Sequence, residues 1–149
     1  MNIQLYRLVY CSRNRIRGSA AHVAAELHTI LESARVNNAR LGVTGALIFN
    51  AGNFAQVLEG PPSEVGKIFE KIQRDLRHSE VTVVQSGPAV ERQFPDWSMA
   101  FAGDSSPDLP ETARAFAAGF GHAVGAGDQM LAILRTLVVQ EDEWILIDA

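Results

Sequence analysis

Two segments of this chain carry apolar residues at helical spacing on one side only, which limits how they can be buried. The apolar positions of the first segment are Val23, Leu27, Ile30, Leu31 and Ala34. Those of the second segment are Val65, Ile68, Phe69, Ile72 and Leu76. Both sets recur at the three- and four-residue steps of an amphipathic α-helix. Each helix therefore has a single face to bury, and a sheet between or beside them must supply the partner surface.

Five other segments have the alternation or the β-branched and aromatic composition of strands. They cover residues 3–11, 43–49, 54–58, 81–85 and 96–102. Together with the helices, the order reads βαββαββ. Because both helices are apolar on one stripe, they cover the same face of the sheet. The sequence therefore predicts an α+β, ferredoxin-like sandwich, with two helices on one face of a five-stranded mixed sheet.

Capping residues give the expected helix ends. Ser19 is a candidate N-cap for the first helix, which we expect to end near Asn37 and Asn38. Pro61-Pro62-Ser63 opens the second helix. Leu76 is the last residue of its apolar stripe, so we expect this helix to reach that position.

A change of charge divides the chain. Residues 1–104 carry 11 basic and 10 acidic groups, whereas residues 105–149 carry 2 and 7. The change coincides with a Gly/Asp/Ser/Pro stretch at 103–107. We expect a main domain over 1–104 and a helical C-terminal extension over 105–149 that caps the sheet, carries the output or pairs subunits.

Composition excludes several classes of function. A net charge of −4 argues against non-specific nucleic-acid binding, which needs a basic surface. We find no apolar run of the ~18 residues that a spanning helix needs and no leader peptide. A single cysteine, Cys11, fits a reducing compartment, and we expect a cytoplasmic protein. The four histidines show no metal-ligand spacing, so we expect no metal.

Several polar residues fall where apolar residues would be expected. Tyr10 and Gln56 lie on the helix-facing side of predicted strands, and Asn38 ends the first helix. Lys71 and Asp75 border the apolar stripe of the second helix. Taken singly, they would be a core aromatic, a satisfied strand amide, a helix C-cap and a surface ion pair. Taken together, they converge between the two helices and the sheet, which is typical of a concave binding site.

Five stretches carry a resemblance to a known family. They are residues 5–12 (LYRLVYCS), Asn37-Asn38 with Val43-Thr44-Gly45, 54–61 (FAQVLEGP), 73–78 (QRDLRH) and 94–99 (FPDWSM). In this order and spacing, the chain from Gln4 to Ala102 resembles the BLUF domain, the family of sensors of blue light using FAD. Ala55 departs from the pattern, since a bulky residue usually precedes the glutamine. Strand alternation places Ala55 on the face away from Gln56.

The resemblance implies a role for each matching residue. Tyr10 corresponds to the photoactive tyrosine and Gln56 to the switching glutamine. Asn38 corresponds to the asparagine that pairs with the pyrimidine edge of the flavin, Asn37 to its contacting neighbour and Ile30 to an aliphatic residue packed on the ring.

Further matches lie later in the chain. Lys71 and Asp75 correspond to a basic and acidic pair near the flavin, and many relatives have arginine in place of the lysine. Arg77 and His78 correspond to the family's Arg-His pair, which we also expect to contact the cofactor. Trp97 and Met99 correspond to residues of the fifth strand that relay the signal.

The resemblance also implies the activity. In the family, light drives electron and proton transfer from the tyrosine to a non-covalent FAD, and the glutamine then rearranges its hydrogen bonds. No net reaction is catalysed, so we expect a photosensor and not an enzyme. FMN and riboflavin share the ring and are alternatives to FAD. We expect signalling through a downstream protein or a homo-oligomer, without direct binding of nucleic acid or membrane.

Two other functions stay open from the sequence. An acylphosphatase-type hydrolase would need an anion-binding loop, for which Arg13-Asn14-Arg15 is the candidate. A light-blind regulatory module would keep the fold without the photochemistry, because fold alone does not determine function.

Overall fold

The computed structural model describes residues 4–49, 53–94 and 100–103, which form one sheet with two helices against it. The elements, in chain order, are β1 (Leu5–Asn14), α1 (Ala20–Leu41), β2 (Thr44–Phe49), β3 (Asn53–Gly60), α2 (Pro62–Arg74), β4 (His78–Ala89) and β5 (Ala100–Gly103). This order confirms the ferredoxin-like arrangement that the sequence predicts.

The strands are arranged in the order β4-β1-β3-β2-β5. The pairs β1–β4, β1–β3 and β2–β3 are antiparallel, and β2–β5 is parallel, so the sheet is mixed. The register of β1 and β3 sets Tyr10 directly opposite Gln56 and Leu8 opposite Leu58. Since side chains alternate along each strand, all four point to the same face of the sheet.

The hydrophobic core lies between this face and the two helices. Leu27 and Leu31 of α1 and Val65 of α2 are buried there against Leu8 and Leu58. The apolar stripes of both helices are thus buried against one face of the sheet. Ala55 lies on the opposite face of the sheet and is also fully buried. The small side chain at this position therefore does not leave the strand exposed to solvent.

The first helix begins as predicted and ends later than predicted. Ser19 caps it, because its side-chain oxygen accepts from the backbone N–H of His22 at 3.1 Å. The end lies at Leu41, and Gly42 closes it in the left-handed region at φ 72°. Because a glycine adopts this conformation without steric cost, the helix continues past the asparagines to reach it.

The second helix ends earlier than predicted. Pro61 and Pro62 open α2 as expected, but the helix stops at Arg74, and Asp75 is extended. The placement of Leu76 in the buried stripe is wrong, since this side chain is 91% exposed. The Asp75 carboxylate accepts from the backbone N–H of Arg77 at 2.9 Å, which stabilises a turn in place of a further helical turn.

The fourth strand is longer than predicted. β4 spans His78–Ala89 where residues 81–85 were predicted, because its pairing with β1 continues from Asn14–His78 to Leu5–Ala89. The described part of the last strand, Ala100–Gly103, pairs with β2. Residues 95–99, which hold Trp97 and Met99, and the extension over 105–149 lie outside the described residues.

A fully buried carboxylate ties the chain after β4 to the sheet. Glu59, near the end of β3, is 0% exposed. Its Oε2 accepts from Arg7 Nε at 2.8 Å, and its Oε1 accepts from the backbone N–H groups of Gln93 and Phe94, each at 2.9 Å. This carboxylate therefore satisfies three donors that would otherwise be buried without partners.

Arg92 adds a second tie in the same segment. Its guanidinium donates to Thr44 Oγ1 at 2.9 Å, to the Glu59 carbonyl at 3.0 Å and to the Gly42 carbonyl at 2.8 Å. The segment 92–94 is thus bonded to the ends of α1 and β3 and to the beginning of β2.

Removing the buried carboxylate should destabilise the fold strongly. We expect Glu59→Ala to lower the free energy of unfolding by about 3–5 kcal/mol, because Arg7 and two backbone donors lose their buried acceptor. Glu70→Ala, at an exposed position of α2, is the control and should change it by less than about 0.5 kcal/mol. Urea unfolding measures both, and a loss below about 1 kcal/mol for Glu59→Ala would contradict the assignment.

Candidate functional site

A cavity of about 390 Å³ lies between α1 and α2 above the middle of the sheet. Tyr10, Leu47, Phe54 and Gln56 form its floor. Its walls are the inner sides of the two helices and the turn that follows α2. This volume is within the range of ligand pockets, roughly 300–1,000 Å³.

All nine residues to which the family resemblance assigns a contact with the cofactor line this cavity. They are Tyr10, Ile30, Asn37, Asn38, Gln56, Lys71, Asp75, Arg77 and His78. They come from β1, α1, β3, α2, the turn after α2 and β4. Residues separated by up to 68 positions therefore meet at one concave surface. For Tyr10, Asn38, Gln56, Lys71 and Asp75, this is the convergence that their polar side chains indicated.

Tyr10 and Gln56 form the centre of the floor. They are 3% and 6% exposed, and the Tyr10 hydroxyl donates to Gln56 Oε1. Burial, with a smaller effect from the negative charge of Asp75, raises the pKa of the Tyr10 phenol well above its usual value. The phenol therefore keeps its proton and acts as a hydrogen-bond donor to the glutamine.

Aromatic and polar contacts fix the position of the Tyr10 ring. The ring lies 5.6 Å from that of Phe69 and 6.1 Å from that of His78, between ring centroids. His78 Nε2 contacts the Ile72 carbonyl, which can only accept, so this nitrogen carries a hydrogen. The other ring nitrogen, Nδ1, is hydrogen-bonded to Ser12 Oγ at 2.7 Å. His78 thus links β1 to the end of α2 beside the tyrosine.

Asn38 lies inside α1 and not at its end. Gly42 closes the helix, so the interpretation of Asn38 as the C-cap is wrong. The Asn38 side chain is 2% exposed and lines the cavity. Asn37 is half-buried on the same wall, and Arg40 Nη2 lies 3.4 Å from its Oδ1. A buried amide at a cavity wall offers both a donor and an acceptor to a planar ligand.

The turn after α2 supplies an ion pair to the cavity wall. Asp75 and Arg77 form two parallel hydrogen bonds, with Nη2 at 2.6 Å from Oδ2 and Nε at 2.9 Å from Oδ1. These bonds hold the pKa of the Asp75 carboxyl below its usual value and raise the pKa of Arg77. Arg77 Nη1 also lies 3.7 Å from Glu26 Oε2 of α1. The predicted surface pair of Lys71 with Asp75 is therefore replaced by Asp75 with Arg77.

Sequence reasoning missed three charged residues of the walls, namely Arg40 of α1 and Glu64 and Lys67 of α2. The two α2 residues could have been found, because they precede Lys71 by seven and four positions. When helical spacing is applied to polar residues as well as apolar ones, it places Glu64, Lys67 and Lys71 on one stripe of α2. The apolar lining residues Ile68 and Ile72 were assigned to the core, and the structure places them at both the core and the cavity.

The arginines at the end of β1 and directly after it are bonded to β4. Arg13 Nε lies 2.9 Å from Glu80 Oε2, and Arg15 Nε donates to Ser79 Oγ at 2.6 Å. Both arginines are bonded to the beginning of β4, so the hydrolase alternative loses its candidate loop. Within residues 4–49, 53–94 and 100–103, no cluster of three or more His, Cys, Asp or Glu could hold a metal ion. Neither α1 nor α2 is long and apolar enough to cross a bilayer.

Comparison with curated proteins finds similarity to light-responsive proteins. The photoactivated adenylate cyclase subunit beta of Euglena longa is 37% identical over 78 residues, which are 52% of this chain and 9% of the cyclase. The blue light- and temperature-regulated antirepressor BluF of Escherichia coli (strain K12) is 33% identical over 69 residues, 46% of this chain and 17% of the antirepressor. The chain thus spans less than a fifth of either relative.

Solved structures give matches over most of the chain. The dark-state structure of the BLUF protein BlrB has a TM-score of 0.71 and 32% identity, covering 95% of this chain and 100% of that one. The ground state of BlsA has a TM-score of 0.73 and 25% identity, covering 93% and 89%. The family model for sensors of blue-light using FAD matches residues 5–100. With this match over most of its length and with the fold described above, the chain belongs to the BLUF family of flavin-binding blue-light sensors.

Proposed function

We propose that this chain binds FAD non-covalently in the cavity between α1 and α2 and signals blue light by rearranging the hydrogen bonds of Gln56. The observation that carries the proposal is the hydrogen bond from the buried Tyr10 phenol to Gln56 at the cavity floor. A tyrosine is a donor of electrons and protons, and a primary amide can exchange its donor and acceptor sides.

The cavity suits a flavin ring in shape and chemistry. Ile30, Leu47 and Phe54 supply apolar surface for a flat ring, and the amides of Asn38 and Gln56 can read a polar edge. Asn37 lies beside the first amide. FMN and riboflavin carry the same ring, so these contacts do not select among the three flavins.

Cations complete the proposed cofactor site. Lys71 forms no ion pair with any described residue, and it lines the cavity next to Ile72. Arg77 is held in place by Asp75 and Glu26, and His78 by Ser12. Lys71 and Arg77 would direct positive donor groups towards the carbonyl oxygens and phosphate of a flavin. Both ring nitrogens of His78 already have partners in the protein, so this residue would contribute ring surface to the cavity wall.

The chain's own residues would supply the switch. A bound flavin contributes an excited state that is generated by blue light and accepts an electron. In the dark, Tyr10 holds its proton on the phenol oxygen and donates it to Gln56 Oε1 in a hydrogen bond. When the phenol no longer donates this hydrogen bond, the glutamine side chain has to change its hydrogen-bond partners, by rotation or by tautomerisation.

A short path leads from Gln56 to the last strand. Gln56 pairs with Leu47 of β2, and Leu47 pairs with Phe101 of β5 in the parallel ladder. In the sheet, β2 therefore lies between the strand that carries Gln56 and β5. We propose Trp97 and Met99, which precede this strand, as the residues that relay the change.

We propose that this chain passes its signal on by contacting a protein. Photoactivated cyclases and an antirepressor are among the relatives, and each carries a much longer chain than this one. We propose that this chain catalyses no reaction and acts on a downstream protein or on its own oligomer, with the acidic extension over 105–149 as the contact.

We propose the cytoplasm as the location of this chain. The buried thiol Cys11 fits the reducing conditions there.

Illumination of the purified protein tests the switch. Wild type should show a flavin spectrum that shifts reversibly to the red in blue light. Gln56→Leu and Tyr10→Phe should bind flavin, since the shape of the cavity is nearly conserved, but show no shift. Gln73→Leu, at an exposed position of α2, makes the same change of side chain and should respond as wild type does. A reversible shift in Gln56→Leu would contradict the mechanism.

Flavin content tests the role of Asn38. Without its amide, a polar edge of the ring loses a partner at a buried position, which costs on the order of 1–3 kcal/mol. Asn38→Ala should therefore be purified with much less flavin than wild type, measured as the ratio of flavin to protein absorbance. Glu32→Ala, at an exposed position of α1, should retain the wild-type ratio. Unchanged flavin content in Asn38→Ala would assign this residue to the fold alone.

Alkaline unfolding tests the state of the Tyr10 phenol. The folded protein holds this proton more tightly than the unfolded chain, in which tyrosine ionises near its usual pKa of about 10. The stabilisation is complete below that pH, and the free energy of unfolding should fall as pH rises above it. Compared with Tyr10→Phe in the dark, wild type should lose up to about 1.4 kcal/mol more per pH unit. Parallel pH profiles for the two proteins would contradict a buried, protonated phenol.

A further inference from the structure

Ser12 is a buried polar residue of β1 that does not line the cavity. It lies two residues after Tyr10, so strand alternation places both side chains on the helix-facing side of the sheet. The Ser12 side chain is 4% exposed, and a buried hydroxyl requires a hydrogen-bond partner. That partner is Nδ1 of His78, at 2.7 Å from Ser12 Oγ. The bond therefore joins the strand that carries the tyrosine to a residue of the cavity wall.

A bulge in β4 brings His78 to this hydroxyl. Between the partners of Cys11 and Arg13, β4 contains one residue more than β1. Glu80, in this interval, has a φ of 53°, a left-handed conformation that is uncommon for a glutamate. The extra residue reverses the alternation of side chains, so His78 lies on the same face of the sheet as Tyr10. An unfavourable backbone conformation is thus maintained at the point that decides where the imidazole points.

Two hydrogen bonds fix the imidazole against the Tyr10 ring. Nε2 of His78 contacts the Ile72 carbonyl and Nδ1 is bonded to Ser12, so the imidazole cannot rotate without breaking a bond. The centroids of the His78 and Tyr10 rings are 6.1 Å apart and their planes meet at 70°. This is the edge-to-face geometry in which aromatic rings attract each other. The orientation of the Tyr10 ring therefore depends on His78 and, through it, on the Ser12 hydroxyl.

The orientation of the ring decides how well Tyr10 can donate. Its hydroxyl donates to Gln56 Oε1 from a ring that is packed against Phe69 and His78. Transfer of a proton and an electron from the phenol requires this hydrogen bond to be aligned, and small displacements of a reacting group lower rates strongly. A ring that tilts or turns more freely would hold the aligned arrangement for a smaller fraction of the time.

We propose that Ser12 is a positioning residue of the light switch, whose hydroxyl fixes the His78 imidazole and thereby holds the Tyr10 phenol in line with Gln56. The photochemical consequence rests on the proposed function, because it takes the phenol to be the donor to an excited flavin. The restraint on the Tyr10 ring is a property of the chain itself.

A pair of variants with the same shape tests the hydroxyl. Ser12→Thr keeps the hydroxyl and adds a methyl group, and Ser12→Val adds the same methyl group and has no hydroxyl. The first measurement is the yield of the red-shifted state per photon absorbed by bound flavin. This yield counts only folded, flavin-loaded molecules, so a loss of stability alone does not change it. Ser86→Val, at an exposed position of β4, is the control.

The second measurement is the flip rate of the Tyr10 ring in the dark. NMR spectra of the full chain with labelled tyrosine contain signals from only two tyrosines, and Tyr10→Phe identifies those of Tyr10. We expect the ring to flip about fivefold faster or more in Ser12→Val than in Ser12→Thr, since one hydrogen bond of the support is lost. In a His78→Phe background the two variants should have equal flip rates, because the connection through the imidazole is absent.

The yield should be lower in Ser12→Val than in Ser12→Thr by about threefold or more, and Ser86→Val should match wild type. Equal yields for the two Ser12 variants would overturn the role in the switch, and equal flip rates would overturn the restraint on the ring. A difference that persists in the His78→Phe background would exclude the route through His78. A wild-type chain without any red shift would contradict the proposed function, whereas the comparison of flip rates would still decide whether Ser12 restrains Tyr10.

Discussion

The pairing of Tyr10 with Gln56 across β1 and β3 is the constraint on which the rest of the site depends. The two residues are direct partners in the antiparallel ladder, and their flanking partners Leu8 and Leu58 belong to the core. A shift of the register by one residue would move a polar side chain and its apolar neighbours to the opposite face of the sheet. Burial of the flanking leucines therefore fixes the geometry of the hydrogen bond, and the helices close over it.

The order of the elements could be predicted from periodicity, because each helix and strand buries one side of its own sequence. The ends of the elements depend on local backbone preferences that periodicity does not contain. The left-handed Gly42 extends α1 beyond the asparagines, and the turn made by Asp75 and Arg77 stops α2 before Leu76. In both cases one residue's conformation outweighs the apolar pattern.

The residues that line the cavity could largely be predicted, but the hydrogen bonds between them could not. Polar side chains at buried positions identified the cavity, since each needs a partner that an apolar core cannot give. The actual partners come from distant parts of the chain, such as Ser12 for His78, or from an unexpected neighbour, as with Arg77 for Asp75. Such pairs depend on strand register and on side-chain geometry, which exist only after the chain has folded.

The bonds of Arg92 connect the end of the helix that lines the cavity to the chain after β4. Arg92 holds the carbonyl of Gly42, the residue that closes the helix bearing Asn38, and it belongs to the segment that Glu59 anchors. Where two binding equilibria are coupled through such a connection, the coupling is reciprocal, so each ligand changes the affinity for the other by the same factor. Consider a partner that binds the segment 92–94 and prefers either the empty or the occupied cavity. This partner would alter the affinity for the cofactor by the same factor as the cofactor alters the affinity for the partner. In such a sensor, the number of molecules able to absorb light would depend on the concentration of the protein that receives the signal.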